Sequence, residues 1–414
     1  MNIYAYSRDL IRCYPPILIG AASLKGVVLA AGRGVRLSPL TDTRPKHVVP
    51  VCGKPLIGHL IECLASNGVN DILLVVGYMN EAVKNLLGDG GRFGVRISYV
   101  VQPEVLGTAN AVWMGKQHVD EEDFLVVYGD LFIRPEAVEK VLKVYGESGK
   151  QFVMSTVSVA NPEQYGVVYV EGGCVKEILE KPRAEEVRSR EVNAGIYILK
   201  KEIFVAIRMT GKSGRREFEL TDSLRILISR GVRVNAVTLD SGQWVDVGRP
   251  LDLLEANRRA CQSIATSLAG EVEEEVRIAG QAIMSPGAKV GAGSFLEGPI
   301  YIGPNSQIGR NTHVQPFTSI GSFVRVGDNC KLGNSILMDG TALSDGCSLK
   351  NCVVGENCFF GNNTKVAGYR SKEEAWVIIG DGVKTGSNVS FMQGVRVKPN
   401  TLIRSNFVVD KDLP

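Results

Sequence analysis

The chain has 414 residues, 44% hydrophobic and 22% charged, a balance that suits a soluble globular protein too long for one ordinary core. Lys plus Arg total 47 against 44 for Asp plus Glu, too even for a dedicated nucleic-acid binder. The nine cysteines include no CxxC pair, which argues against a zinc site or a thioredoxin-like motif and suits reduced thiols in the cytoplasm.

No apolar run is long enough to span a membrane. In residues 1–23, Arg8, Asp9 and Arg12 precede a short apolar piece broken by Pro15 and Pro16, which does not suit a signal peptide. This stretch reads as an N-terminal extension, disordered and loosely attached, or as the product of an upstream start codon.

The first strand expected is "KGVVLA" (25–30), and it runs straight into "AGRGVRLSPLTDTRPKHVVPVCGKPLI" (31–57). This loop lacks the GK[ST] ending of a P-loop, and Leu37 stands where a dinucleotide fingerprint needs its third glycine. The bland alternative is a plain strand-to-helix turn. Against it stand Arg36 and Lys46 close behind the glycines, with Pro45 fixing the backbone before Lys46. Glycines let backbone N–H groups approach phosphate oxygens, and two cations can neutralise a triphosphate.

Beyond the loop, "DILLVVG" (71–77), "VRISYVV" (95–101) and "DFLVVYG" (123–129) are continuous apolar runs expected of strands buried on both faces. Between them "PLIGHLIECLASNG" and "LGTANAVWMGKQHV" carry helical spacing. This alternation predicts an α/β fold, a Rossmann-like doubly wound mixed sheet over 24–268, extended by "QFVMSTVSVA" and "EVNAGIYIL" and closed by a helix in 250–268. Asp130 ends an apolar strand, which places it at the ligand crevice of such a sheet, and Asp246 lies in a second short apolar segment. Two carboxylates on rigid strands suit Mg2+ bound partly through substrate phosphates. Either aspartate alone would read as a solvated strand end.

After "EVEEEV" the pattern changes. From Ile278 every sixth residue is apolar: Met284, Val290, Leu296, Ile302, Ile308, Val314, Ile320, Val326, Leu332 and Met338. The residue four places after each is usually small, such as Ala282, Ala288, Ser294, Ser306 and Thr312. A six-residue period of this kind predicts a parallel β-helix over 276–408, its apolar residues pointing inward. The phase is expected to slip near residue 350 and to be interrupted at "GYRSKEEAW" (368–376).

The stretch 29–57 resembles the signature of sugar-1-phosphate nucleotidylyltransferases, written loosely GxGxRLxPLTxxxPKxxxPVxxKP. Further blocks recur in the family's order: "QPEVLGTANAV" (102–112), "YGD" (128–130), "YGVV" (165–168), "EKP" (180–182), "NAGIY" (193–197) and "WVDVG" (244–248). The likeness covers residues 25–265 and includes glucose-1-phosphate thymidylyltransferase-like and mannose-1-phosphate guanylyltransferase-like members. It implies nucleotide contacts at Ala31, Gly32, Gly34, Gln102, Gly107 and Thr108, with Gln102 and Gly107 at the base. Tyr165, Gly166, Glu180 and Asn193 would line a sugar pocket. Arg36, Lys46 and Lys181 would be catalytic, and Asp130 and Asp246 would hold Mg2+. The implied reaction joins a nucleoside triphosphate to a hexose-1-phosphate with loss of pyrophosphate. Uridine, deoxythymidine and guanosine stay open as bases, and glucose, mannose and N-acetylglucosamine as sugars. His47 is given no role.

The second half resembles the left-handed hexapeptide domain of bifunctional nucleotidylyltransferase/acetyltransferases, through "NSILMDGT" (334–341) and "VIIGDGVKTGSNVSF" (377–391). Those acetyltransferases carry a His-Leu-Asn-Tyr segment after the first block. This chain has "DGCS", which puts Asp345 at the histidine and Ser348 at the tyrosine. An ordinary aspartate is a much weaker base than histidine near neutral pH. His313 is the only histidine in this half and lies elsewhere in the repeat. The likeness therefore implies a homo-oligomerisation module, a trimer by family analogy, ahead of a second enzyme. Two alternatives stay open: a catalytically silent regulatory or scaffold subunit, and a bifunctional enzyme with added acetyltransferase activity in the β-helix.

Overall fold

The computed structural model describes residues 24–119, 123–366 and 376–413. The expected extension 1–23 and nearly all of the interruption at 368–376 lie outside these residues. Two compact units form: one holds the described residues up to Arg33 with Leu56–Asp246, the other Gly34–Pro55 with Val247 onward.

The first unit is a nine-stranded mixed sheet flanked by helices. Strands β1 (Lys25–Ala30), β2 (Asp71–Val76), β3 (Arg96–Val101) and β4 (Asp123–Tyr128) are parallel in the order β3-β2-β1-β4. A short strand β5 (Leu131–Ile133) follows β4 outside this sheet. The main sheet continues through Glu191–Lys200, antiparallel to β4, then Phe152–Ser158, Val234–Leu239, Cys174–Glu180 and Gly166–Glu171. β1 and β4 are buried along most of their length, as continuous β-branched runs require. β3 departs from the expectation of burial on both faces. It is the edge strand, pairing only with β2, and most of its residues keep partial exposure.

Helix α1 (Leu56–Ser66) buries Leu56, Ile57, Leu60, Ile61 and Leu64, the three-and-four spacing of one face. Helices α2 (Asn80–Leu87), α3 (Thr108–Met114), α4 (Pro135–Glu147), α5 (Ile203–Met209) and α6 (Leu220–Ser229) complete the unit. Phe124 and Tyr197 are fully buried at its centre, each contributing about 1.5–3 kcal/mol of apolar burial at most.

The second unit is a β-helix of three parallel eight-stranded sheets, the left-handed hexapeptide architecture. Each coil places one apolar residue per sheet inward, for example Ile302, Ile308 and Val314 in successive turns. Coils turn through residues at positive φ, mostly Asn or Gly, such as Asn305, Asn311, Asn329 and Asn357, because a branched Cβ is disfavoured in that region. The small buried residues join coils by hydrogen bonds: Ser306 Oγ donates to the Gly321 carbonyl at 2.6 Å and accepts from the Val324 N–H at 3.0 Å.

Two details differ from the sequence pattern. Stacking begins before Ile278, at Ser267–Leu268, which pairs with Ile283–Met284. These first strands leave Leu268 and Val272 half exposed, so they carry no inward apolar signal. The inward residue after Leu332 is Leu337, not Met338: it pairs with Ile320 below and Val354 above. One coil is a residue short there, so the phase slips near 335 as well as near 350. Met338 is still buried, with its sulfur 3.4 Å from the Arg44 guanidinium.

Candidate active site

In the first unit, the expected nucleotide and metal residues gather on the carboxyl edge of the parallel strands. Ala31 follows β1, Gln102 follows β3 and Asp130 follows β4. The connections reverse direction between β1 and β4, the point where open α/β sheets bind ligands. Small residues keep this edge open to backbone: a Cβ on Gly77 would meet the Ala31 carbonyl oxygen at 2.7 Å. Gly32 continues the chain from Ala31.

Gln102 is buried, and its Nε2 donates to Asn110 Oδ1 at 2.7 Å and to the Gly107 carbonyl at 3.3 Å. Gly107, at φ +103°, turns the chain into α3. The segment beside it is zipped to residues 218–220: Phe218 N–H donates to the Leu106 carbonyl, Ala109 N–H to the Phe218 carbonyl, and Leu220 N–H to Thr108 Oγ1 at 2.9 Å. Gln102, Gly107 and Thr108 therefore form one cluster.

Asp246 ends a short strand, Trp244–Asp246, that runs antiparallel to β5, and it sits opposite Leu131. Asp130 immediately precedes Leu131, so the ladder brings the two aspartate backbones beside each other. Both side chains are half-buried. Among the described residues no group of three or more His, Cys, Asp or Glu side chains gathers around a common point. That donor set does not suit a closed structural zinc site. It fits Mg2+, which takes one or two carboxylates and fills its other positions from phosphates and water.

The residues expected at the sugar converge. Gly166 pairs with Glu180 across an antiparallel ladder, and Lys181 N–H donates to the Tyr165 carbonyl at 3.0 Å. A Cβ on Gly166 would meet Glu180 Oε2 at 2.9 Å, Thr221 Cγ2 at 3.4 Å and Asn193 Cβ at 3.7 Å. Asn193 Oδ1 accepts from the Gly195 N–H at 3.0 Å. Tyr165 packs edge-on to Trp244, ring centroids 6.0 Å apart. The Tyr128 and Tyr197 hydroxyls are 3.0 Å apart, and burial pushes the Tyr128 phenol up to about 12.

Sequence reading missed two neighbours of Glu180. Arg215 donates to Glu180 at 3.0 Å and to Glu219 at 2.7 Å, and Thr221 Oγ1 donates to Glu180 Oε2 at 2.9 Å. Burial, then repulsion from Glu180, raises the Glu219 carboxyl above its ordinary value. The stretch "RREFELTDSL" (215–224) sets cations and glutamates ahead of an apolar helix face, but nothing in it points to Glu180 as the partner.

Gly34, Arg36 and Lys46 pack within the second unit. The Lys46 stem lies on Gly34, where a Cβ would meet Lys46 Cβ at 2.9 Å. The Arg36 guanidinium lies over Gly248, and a Cβ there would meet Nη2 at 2.5 Å. His47 is buried.

In the β-helix, Asp345 Oδ1 accepts the Asp328 backbone N–H at 2.9 Å, a bond between coils. Its carboxylate is thus structural. Ser348 stacks between Lys331 and Lys365. His313 Nε2 lies 3.0 Å from Glu297, and its ring stacks on Phe295 with centroids 5.0 Å apart. No histidine stands at 345–348, where the acetyltransferases carry their His-Leu-Asn-Tyr segment.

Residues 25–263 match the nucleotidyl transferase family, and residues 296–413 match the GMPPB C-terminal domain. The chain belongs to the sugar-1-phosphate nucleotidyltransferase family. It is 35% identical over 415 aligned residues to the bifunctional protein GlmU of Methanococcus maripaludis, covering 94% of this chain and 95% of that one. A glucose-1-phosphate thymidylyltransferase of Streptomyces antibioticus is 31% identical, covering 69% of this chain and 79% of its own length. A crystal structure of UDP-glucose pyrophosphorylase with UDP-glucose covers 59% of this chain and all of its own, at TM-score 0.52 and 26% identity. The chain is an enzyme of this family, with the nucleotidyltransferase domain first and the β-helix second. Among the described residues no helix is long and apolar enough to cross a membrane.

Proposed function

We propose that this enzyme transfers a nucleotidyl group from a nucleoside triphosphate to a hexose-1-phosphate, releasing pyrophosphate, with Mg2+ as its ion. A phosphate oxygen of the sugar ester attacks the α-phosphorus, and the bond from that phosphorus to the β-phosphate oxygen breaks. The nucleophile is already an anion, so the protein needs no strong base. Its work is alignment and charge neutralisation.

In this reading Arg36 takes the charge that grows on the departing pyrophosphate, and Lys46 neutralises the α-phosphoryl oxygens. Ala31, Gly32 and Gly34 offer backbone N–H groups to phosphate. With Nε2 engaged by Asn110 and Gly107, Gln102 turns Oε1 to a base ring N–H, and Thr108 borders the base. Glu180, Tyr165, Gly166 and Asn193 hold the hexose, and Lys181 holds its phosphate. Asp130 and Asp246 would hold Mg2+, which when bound supplies a Lewis acid for the phosphates.

The observation that carries this reading is that Gly166, Glu180, Asn193 and Thr221, far apart in sequence, lie against one another in one polar cluster. The test is pyrophosphate release over a grid of nucleoside triphosphates against glucose-, mannose- and N-acetylglucosamine-1-phosphates. A preferred pair, lost on removing divalent metal, supports the reading. No release from folded protein with any pair leaves the regulatory-subunit alternative. Trimerisation through the β-helix and a cytoplasmic location belong to the same proposal, and sedimentation of the purified chain tests the first.

A further inference from the structure

We propose that Arg396, Asp381 and Glu356 of the β-helix are positioning residues for nucleotidyl transfer, which hold the segment carrying Arg36 and Lys46 in its working shape. The proposal rests on the functional reading above, because it assigns these two cations to the triphosphate.

Residues 34–48 contain only short 3-10 turns, Val35–Leu37, Leu40–Asp42 and Lys46–Val48, so no ladder fixes their backbone. The polar groups of such a loop need other partners. Within the second unit the β-helix supplies them at two places. Arg396 Nη1 donates to the Ser38 carbonyl at 2.8 Å and to the carbonyl of Arg36 itself at 3.2 Å. That guanidinium lies 5.2 Å from the Trp376 ring centroid, and the Arg396 backbone N–H donates to Asp412 at 2.8 Å. The clamp is therefore held from its own side.

The second place is Arg44, whose side chain is only 10% exposed. Its Nη1 donates to Glu356 Oε1 and its Nη2 to Asp381 Oδ2, both at 2.5 Å. Asp381 Oδ2 also accepts from Thr43 Oγ1 at 2.6 Å, while Oδ1 accepts the Glu356 backbone N–H at 2.7 Å. Two coils thus aim carboxylates at one guanidinium, and one of those carboxylates is braced by the other coil's backbone.

The two clamps bracket the cations. Arg36 is gripped through its own carbonyl, and Lys46 stands two residues beyond Arg44. A displacement of about 1 Å at a phosphate-neutralising group can cost on the order of 100-fold in rate. Holding this loop is a role for the β-helix distinct from oligomerisation or acyl transfer.

The test compares Arg396→Met, Arg396→Lys and Asp381→Asn with wild type in the full chain. Hydrogen exchange over 34–48 is measured without substrate, and steady-state constants are taken for each substrate separately. Melting and sedimentation check the β-helix. Arg396→Met and Asp381→Asn should each lower kcat/KM for the nucleoside triphosphate roughly 10- to 100-fold. The KM for the sugar phosphate should stay unchanged and exchange over 34–48 should rise, and the melting temperature of Arg396→Met should hold. Arg396→Lys should recover much of the loss, since an ammonium can still reach carbonyl oxygens. Active variants with unchanged triphosphate constants and unchanged exchange would overturn the proposal. So would equal losses for both substrates accompanied by a lower melting temperature, which would mark general destabilisation. A wild type that turns over no pair of substrates would defeat the functional reading and this role with it, even where exchange over 34–48 still rises in the variants.

Discussion

Gly107 lies directly against the backbone of Phe218, so closely that a Cβ on it would sit 2.6 Å from the Phe218 oxygen and 2.7 Å from its nitrogen. The neighbour is main chain held by two further hydrogen bonds, so it cannot swing aside. Gly107→Ala adds that collision to a φ of +103°, which alanine disfavours. The variant should lose about 2–4 kcal/mol of stability in the nucleotidyltransferase domain. Calorimetry of the full chain checks this: one transition should move down while the β-helix transition stays.

The hydrogen bonds from Thr221 and Arg215 to Glu180 lead to a separation of constants. Thr221→Val removes a donor to Glu180 while keeping the side-chain volume. Arg215→Met removes the charge that links Glu180 to Glu219. Each should raise the KM for the sugar phosphate roughly 10-fold, the worth of one charge-assisted hydrogen bond. The KM for the nucleoside triphosphate should stay put. Equal changes in both constants would contradict the placement of these residues at the sugar.

Asp130→Asn and Asp246→Asn should each reduce turnover by about 100-fold or more, because a neutral amide binds a divalent cation far more weakly than a carboxylate does. Raising Mg2+ should restore part of the activity of either variant but not of the pair together. A metal-titration curve for each protein checks this.

Glu356 supplies a pH test. Its carboxyl is raised above the ordinary value, chiefly by burial, and Arg44 only partly offsets that against Asp381 and Asp339. A raised carboxyl means that the ionised form is disfavoured by folding. The cost is present above the folded pKa and vanishes once the pH falls below the unfolded value near 4.5. Glu356→Gln should therefore be at least as stable as wild type at pH 7, an advantage that shrinks as the pH falls toward 4. Denaturant melts of both proteins across that range check the sign. Its triphosphate kinetics should suffer all the same, since the bond to Arg44 weakens.

Much of this architecture was legible from local pattern. The parallel strands announced themselves as apolar runs, and the β-helix through a six-residue period that only stacked coils explain. The slip from Met338 to Leu337 was not, because "ILM" offers an apolar residue at either spacing and only pairing with Ile320 and Val354 decides. Gln102, Gly166, Glu180 and Asn193 could be singled out as candidates by their short motifs. Arg215 and Thr221 could not, since their partner Glu180 lies more than thirty residues away in sequence. The ties from Arg44 to Glu356 and Asp381 span more than three hundred residues. Nothing local in "DTRPKH" (42–47) marks Arg44 out from Lys46 beside it.

The most direct test follows the α-phosphorus. A nucleoside triphosphate labelled there is incubated with Mg2+ and each hexose-1-phosphate, beside Asp130→Asn. The account predicts that the label moves into a phosphatase-resistant nucleoside-diphosphate sugar, one pyrophosphate released per transfer, and that the variant is nearly silent. Label that stays in the triphosphate with every sugar, or that appears only as nucleoside monophosphate, would contradict it.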